Sequence, residues 1–181
     1  VGYVGVSTKE KNKNFYSIWS SMINRAYSLK YHEREKNYSE VEVCESWHNF
    51  QNFSEWCEEN YYEIEGEQIN LDKDVLNKNS KLYSPETCIF LPKKINNMFI
   101  NSKKREDGLP TGVNWYKREK KYYVYCSRNS SKDVYGGSYN DIESAHEAYK
   151  KLKKSIIVEK ANEYKDKIPL KVYNALINYE V

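Results

Sequence analysis

The sequence predicts an α+β protein. A helical region comes first, then a strand–loop–strand–helix (ββα) unit. A three-stranded antiparallel sheet packed on a helix follows, and helices close the chain. Three observations carry this reading. Apolar residues recur at helical spacing in two early segments, beginning at Phe15 and at Ser46. Three short runs between Gly112 and Tyr139 alternate apolar and aromatic residues with polar ones. Gly108 and Pro110 punctuate the polar stretch Asn101–Pro110, the best linker between the two parts. With 181 residues, 39% hydrophobic and 30% charged, the chain suits one ordinary domain or two small ones and is too apolar for a disordered protein.

The elements follow in order. Ile18, Trp19, Met22, Ile23 and Ala26 form one stripe, so Phe15–Tyr27 is expected to be a helix. The Lys/Glu-rich stretch Leu29–Ser39 reads as a loop, and Val41 and Val43 as a short strand. Ser46–Glu59 places Trp47, Phe50, Phe53, Trp56 and Cys57 on one helical face, a core rather than a ligand box. Ile69–Asp74 reads as a strand entering a turn at Asn77–Ser80, and Cys88–Leu91 as a second strand. A helix over Lys93–Ile100 is expected after Pro92. Beyond the linker come strands at Gly112–Tyr116, Lys121–Ser127 and Val134–Tyr139. Asp141 is a good N-cap for a helix through Ala145, Ala148, Tyr149 and Leu152, extending toward Ala161. Leu170–Tyr179 forms the last helix, after Pro169.

Charge is distributed unevenly. The net charge is only +3, yet Asn101–Lys132 holds nine basic residues (Lys103, Lys104, Arg105, Lys117, Arg118, Lys120, Lys121, Arg128, Lys132) against Glu106, Asp107 and Glu119, a local +6. Such a block is an electrostatic footprint for a polyanion. No segment reads as a signal peptide or a membrane span: the apolar run Ser155-Ile156-Ile157-Val158 is far too short. The four cysteines form no C-x-x-C pair and read as free thiols. Cys44, His48 and Cys57 lack an evident fourth zinc ligand.

In the three-stranded sheet, small Ala145 and Ala148 let the helix lie close on one face. Tyr122, Val124 and Cys126 then point to the helix, and Tyr123, Tyr125 and Ser127 point outward. A tyrosine-bearing face rimmed by Lys117, Arg118, Arg128 and Lys132 suits a duplex groove, where cations hold phosphates and flat polar-tipped rings touch base edges.

Gly112-Val113, the Tyr-Tyr-Val-Tyr strand, Gly136-Gly137-Ser138-Tyr139, Asp141 and the Ala145…Ala148-Tyr149 spacing resemble the AP2 DNA-binding domain over about fifty residues. That resemblance implies a sheet lying in the major groove of double-stranded DNA. Carried over by position, the DNA-facing residues are Asn114, Tyr116, Tyr123, Tyr125, Ser127 and Tyr135, with Lys117, Arg118 and Arg128 on phosphates. Plant members place several Arg and Trp where this chain has Asn, Tyr and Ser, so their base specificity does not transfer.

Leu71-Asp72-Lys73-Asp74, Tyr83-Ser84-Pro85-Glu86-Thr87-Cys88 and Ile95-Asn96-Asn97 resemble the HNH endonuclease-like group of phages and mobile elements. So do Trp19-x-x-Met22-x-x-Arg25, Val43-Cys44-Glu45-x-Trp47 and Phe50-x-x-Phe53-x-x-Trp56. The resemblance implies an HNH-like unit over residues 1–105 and an AP2-like unit with a helical extension over 109–181. It also implies a phage-encoded protein of the bacterial cytoplasm. By analogy Asp72 would hold Mg²⁺ or another divalent cation, with Asn96 or Asn97 as the helix ligand. The position after Asp72 belongs to a water-activating His, and here it is Lys73. The site set is therefore Asp72, Lys73 and Asn96, with His32 and His48 as alternative bases. The functions implied are DNA binding with homing-type cleavage, or an inactive HNH-like protein that regulates or opposes host defence. In the last case a host protein is the partner, and the acidic Glu55–Glu67 stretch would mimic DNA.

Overall fold

The computed structural model describes residues 2–3, 13–100, 105–129 and 132–181, excluding the side chains of Lys13, Asn14, Asn129 and Lys132. Lys103, Lys104 and the start of the expected linker thus lie outside the described residues, as does the Lys132 side chain. The fold is mixed α+β and divides into two compact units, Val1–Lys93 and Lys94–Val181. The division falls at the start of a helix, ahead of the polar stretch at 101–110. No helix among the described residues is long and apolar enough to cross a membrane.

The first unit is built on aromatic packing. Helix α1 (Lys13–Tyr27) buries Trp19, Met22 and Ala26, the stripe its spacing predicts. Helix α2 (Leu29–Arg34) replaces the expected loop: the Ser28 side chain caps it by accepting from the Tyr31 amide. It buries no residue, so apolar periodicity has nothing to report there. A 3-10 turn at Lys36–Tyr38 leads to β1 (Glu42–Val43). The expected helix from Ser46 is broken in two. A 3-10 turn spans Glu45–His48, and α3 runs Phe50–Asn60. Asn49 makes the break. Its backbone is extended and its side-chain oxygen accepts from the Gln51 amide at 3.0 Å. Tyr3 pairs at that point, through Tyr3 N to His48 O and Phe50 N to Tyr3 O, both 2.9 Å.

Strand β2 (Ile69–Asp72) pairs antiparallel with β4 (Ile89–Pro92), and β3 (Leu82–Tyr83) pairs parallel with β1. Trp47, Phe50, Phe53, Cys57, Leu71, Tyr83, Cys88 and Phe90 close one core with the α1 stripe, and Trp19 Nε1 donates to Trp47 O at 2.7 Å. The expected helix after Pro92 is short: α4 (Lys93–Asn96) tightens into a 3-10 turn over Asn97–Phe99.

In the second unit β5 (Val113–Tyr116), β6 (Lys121–Asn129) and β7 (Lys132–Tyr139) form an antiparallel sheet in the order β5-β6-β7. Helix α5 (Ile142–Glu163) crosses one face, and its N-cap is Asp141, whose carboxylate accepts from the Ser144 amide at 2.7 Å. Val113, Val124 and Ala145 are fully buried between sheet and helix, ringed by Tyr122, Tyr139, Ala148, Tyr149 and Leu152. The register slips between Val124 and Tyr125, leaving Gly136 as the extra residue of a bulge. A Cβ on Gly136 would stand 2.7 Å from Val124 Cγ1 and 2.9 Å from Leu152, so the bare backbone is what admits the helix. Helix α6 (Leu170–Asn178) packs on α5. Lys154 Nζ reaches back to the carbonyls of Ile177 and Tyr179, both 2.5 Å, and neutralises the C-terminal end of α6.

Candidate functional site

Strand alternation leaves one face of the second unit's sheet without the helix. Asn114, Tyr123 and Ser138 lie abreast across the three strands, and Tyr116 lies beside Lys121. Beyond the bulge Tyr125 pairs with Tyr135, and Ser127 with Asp133. Four tyrosines therefore share this face. Their ring centroids are 4.4 Å apart for Tyr116–Tyr123, 5.7 Å for Tyr123–Tyr135 and 5.4 Å for Tyr125–Tyr135, each pair tilted by 34–47°. The outer members stay open, Tyr116 at 43% and Tyr135 at 52% exposure. Trp115 belongs to the opposite face, where it meets Tyr122 at 4.6 Å.

The polar tips on this face are oriented. The Tyr123 hydroxyl donates to Glu119, and that hydrogen bond is the chief reason its pKa is pushed up to about 12. A hydrogen bond between Tyr116 and Tyr125 likewise raises the Tyr125 phenol. Arg105 Nη1 donates to Val113 O at 2.8 Å and to Asn114 Oδ1 at 3.2 Å. Asn114 thus presents its amide nitrogen as the free end.

The β5–β6 hairpin loop, residues 117–120, stands at one end of the face. Lys117, Arg118, Lys120 and Lys121 are exposed and have no carboxylate partner among the described residues. Lys120 turns the loop in the left-handed region, at φ 50°. Arg128 is placed differently from its expected role. It is the extra residue of a second slip, between Ser127 and Asn129, and it ion-pairs with Glu159 of α5 on the helix side. Of the carried-over set, then, Asn114, Tyr116, Tyr123, Tyr125, Ser127 and Tyr135 share one face, Lys117 and Arg118 flank it, and Arg128 leaves it. Two further residues of the charged block, Lys121 and Glu119, also belong to this face. Lys121 follows from simple alternation. Glu119 sits in a loop, where no periodicity could mark it.

In the first unit Asp72 ends β2 as a turn cap: Oδ1 accepts from the amides of Asp74 at 2.9 Å and Val75 at 2.8 Å. Burial is the main influence on its carboxyl and raises its pKa above the ordinary Asp value. Lys73 is only 8% exposed. Its ammonium donates to Ser80 O at 2.6 Å and to Asp74 Oδ1 at 2.8 Å. Lys73 thereby spans the turn as a strut between Asp74 and Ser80. The alternative bases are also engaged elsewhere, His32 Nε2 with Arg25 O at 2.8 Å and His48 Nε2 with the Tyr27 hydroxyl at 3.0 Å.

Oxygen donors are the right chemistry for Mg²⁺. Among the described residues the Asp72 hydrogen bonds all fall on Oδ1. Asn96, in the second unit, carries a buried Oδ1 with no partner, the one such side-chain atom found among the described residues. Each residue alone is thus compatible with a cation, though no group of three or more His, Cys, Asp or Glu side chains gathers among the described residues. Cys57 and Cys88 are buried in the core as free thiols, and Cys44 contacts Ser46. No protein-family model, curated protein or solved structure matches the chain.

Proposed function

We propose that this chain binds double-stranded DNA by laying the outer face of β5–β6–β7 in the major groove, in the manner of an AP2-type domain. One observation carries the reading: four touching tyrosines on a sheet face that ends in a hairpin whose exposed lysine and arginine side chains have no carboxylate partner among the described residues. Phosphates take the cations, while the rings and their hydroxyls meet base edges. Duplex binding measured against salt tests this. Each phosphate neutralised contributes a slope of about −0.9 in log K against log salt. An absent or salt-independent affinity rejects the proposal. Tyr125→Ala is expected to weaken binding about 5- to 100-fold if the ring meets the bases, and Arg128→Ala far less, because Arg128 is held by Glu159.

We read the first unit as an HNH-type unit that serves as scaffold or clamp without cutting, because Lys73 is spent on Asp74 and Ser80. Binding without cutting is what a phage regulator or a factor opposing host defence requires. Cleavage is the second reading, and the unpartnered Asn96 oxygen favours it. A divalent ion there would polarise the phosphodiester and acidify a bound water. Plasmid and long phage DNA incubated with Mg²⁺ or Mn²⁺ separate the two readings. Cleavage abolished by Asp72→Ala supports the nuclease, and intact DNA under both metals supports binding alone.

A further inference from the structure

An acid on a face meant for a polyanion needs a reason. Glu119 lies between Arg118 and Lys120 in the hairpin loop, where a neutral residue would leave the positive field stronger. It is nonetheless tied onto the tyrosine face by the Tyr123 hydroxyl. That tie uses Oε2, and among the described residues Oε1 has no hydrogen-bond donor. Across the sheet Asn114 sits abreast of Tyr123, and with Arg105 donating to its carbonyl oxygen its amide nitrogen remains as a donor on the same face. In the major groove a carboxylate is matched by an exocyclic amino group, and its common partner is N4 of cytosine.

We infer that Glu119, positioned by Tyr123, is a specificity-determining residue that accepts a hydrogen bond from cytosine N4 at one position of the bound duplex. This rests on the duplex-binding reading above. Phosphate contacts from Lys117, Arg118, Lys120 and Lys121 fix the register, and Glu119 repels the backbone unless an amino group stands opposite it. The acid thus gives up general affinity for discrimination. Asp133, at the other end of the face opposite Ser127, serves as the control.

Selection from a random duplex pool with the full chain tests this, with parent, Glu119→Gln, Tyr123→Phe and Asp133→Asn compared by sequencing and by direct binding. The parent is expected to enrich cytosine at one position. Glu119→Gln, which can still accept from Tyr123, should lower that preference about 5- to 100-fold, the discrimination of one good base contact. Its affinity for duplexes without that cytosine should rise, because a repelling charge is removed. Tyr123→Phe should blunt the same position, and Asp133→Asn should leave it alone. A cytosine preference that survives Glu119→Gln overturns the inference, as does a parent that binds duplex with no cytosine-enriched position. A parent that retains no duplex at all overturns the DNA reading itself. Unchanged melting of the variants confirms that a loss is not misfolding.

Discussion

Lys73 and Asp72 are neighbours whose surroundings push them in different directions. The Lys73 side chain is 10% exposed while its partner Asp74 is 44% exposed, so truncating the lysine strands a carbonyl more than a charge. Lys73→Met should therefore cost about 1–3 kcal/mol, read from urea unfolding, rather than the larger loss of a fully buried ion pair. An unchanged midpoint would show that the turn does not depend on the strut. Asp72 carries a sign that can be worked out. Burial raises its folded-state pKa, so the native chain holds more protons than the unfolded one. Its contribution to stability falls as pH rises through the interval between the ordinary Asp value and the raised one. Asp72→Asn keeps an oxygen for the Asp74 and Val75 amides and removes the charge. Calorimetry should find this variant more stable than the parent at neutral pH, with the difference closing below about pH 4. A less stable Asn variant at neutral pH would mean that the carboxylate is fully compensated.

At the scale of elements, the sheet and helix of the second unit depend on a few backbone positions. Gly112 has φ +77°, and an added Cβ would overlap the Tyr149 ring and stand 2.6 Å from Tyr125 O. Gly112→Ala should destabilise by about 2–4 kcal/mol, combining left-handed strain with overpacking, and urea unfolding checks it. Asp141 works by electrostatics. The Ser144 amide is the main reason its carboxyl is held below the ordinary range, so the cap contributes above that range and is lost as pH falls through the lowered value. Asp141→Ala should lower the melting temperature at pH 7, and the gap should narrow in acid. These elements were legible because their signals are local: alternation in Tyr122–Cys126, small residues at Ala145 and Ala148, Asp before a helix. The misses have equally local causes. Helix α2 buries nothing, so its residues show no apolar period. Asn49 interrupts an aromatic stripe that runs on as if unbroken. Arg128 is expected among the phosphate contacts only by the resemblance, while alternation from Val124 and Cys126 already points it to the helix side, where Glu159 of α5 holds it.

At the scale of the whole molecule, the two units divide the chain's signals between them. The aromatic core that reads so clearly from Trp19 to Phe90 belongs to the first, and the tyrosine face belongs to the second. A fragment of residues 94–181 is expected to unfold cooperatively on its own and to bind duplex DNA with the salt slope of the full chain. Circular dichroism and a salt titration check both, and a fragment without affinity would place binding elsewhere. The slipped ladder between β6 and β7 bears on how the protein behaves in company. A long regular rim of unpaired amides is a template on which other chains can add strands and assemble into aggregates. Here β7 is such a rim, but the extra residue Gly136 interrupts it and Gly137 turns its backbone at φ +109°. An incoming strand would find its hydrogen-bonding groups out of step after a few residues. That interruption works against strand addition along β7.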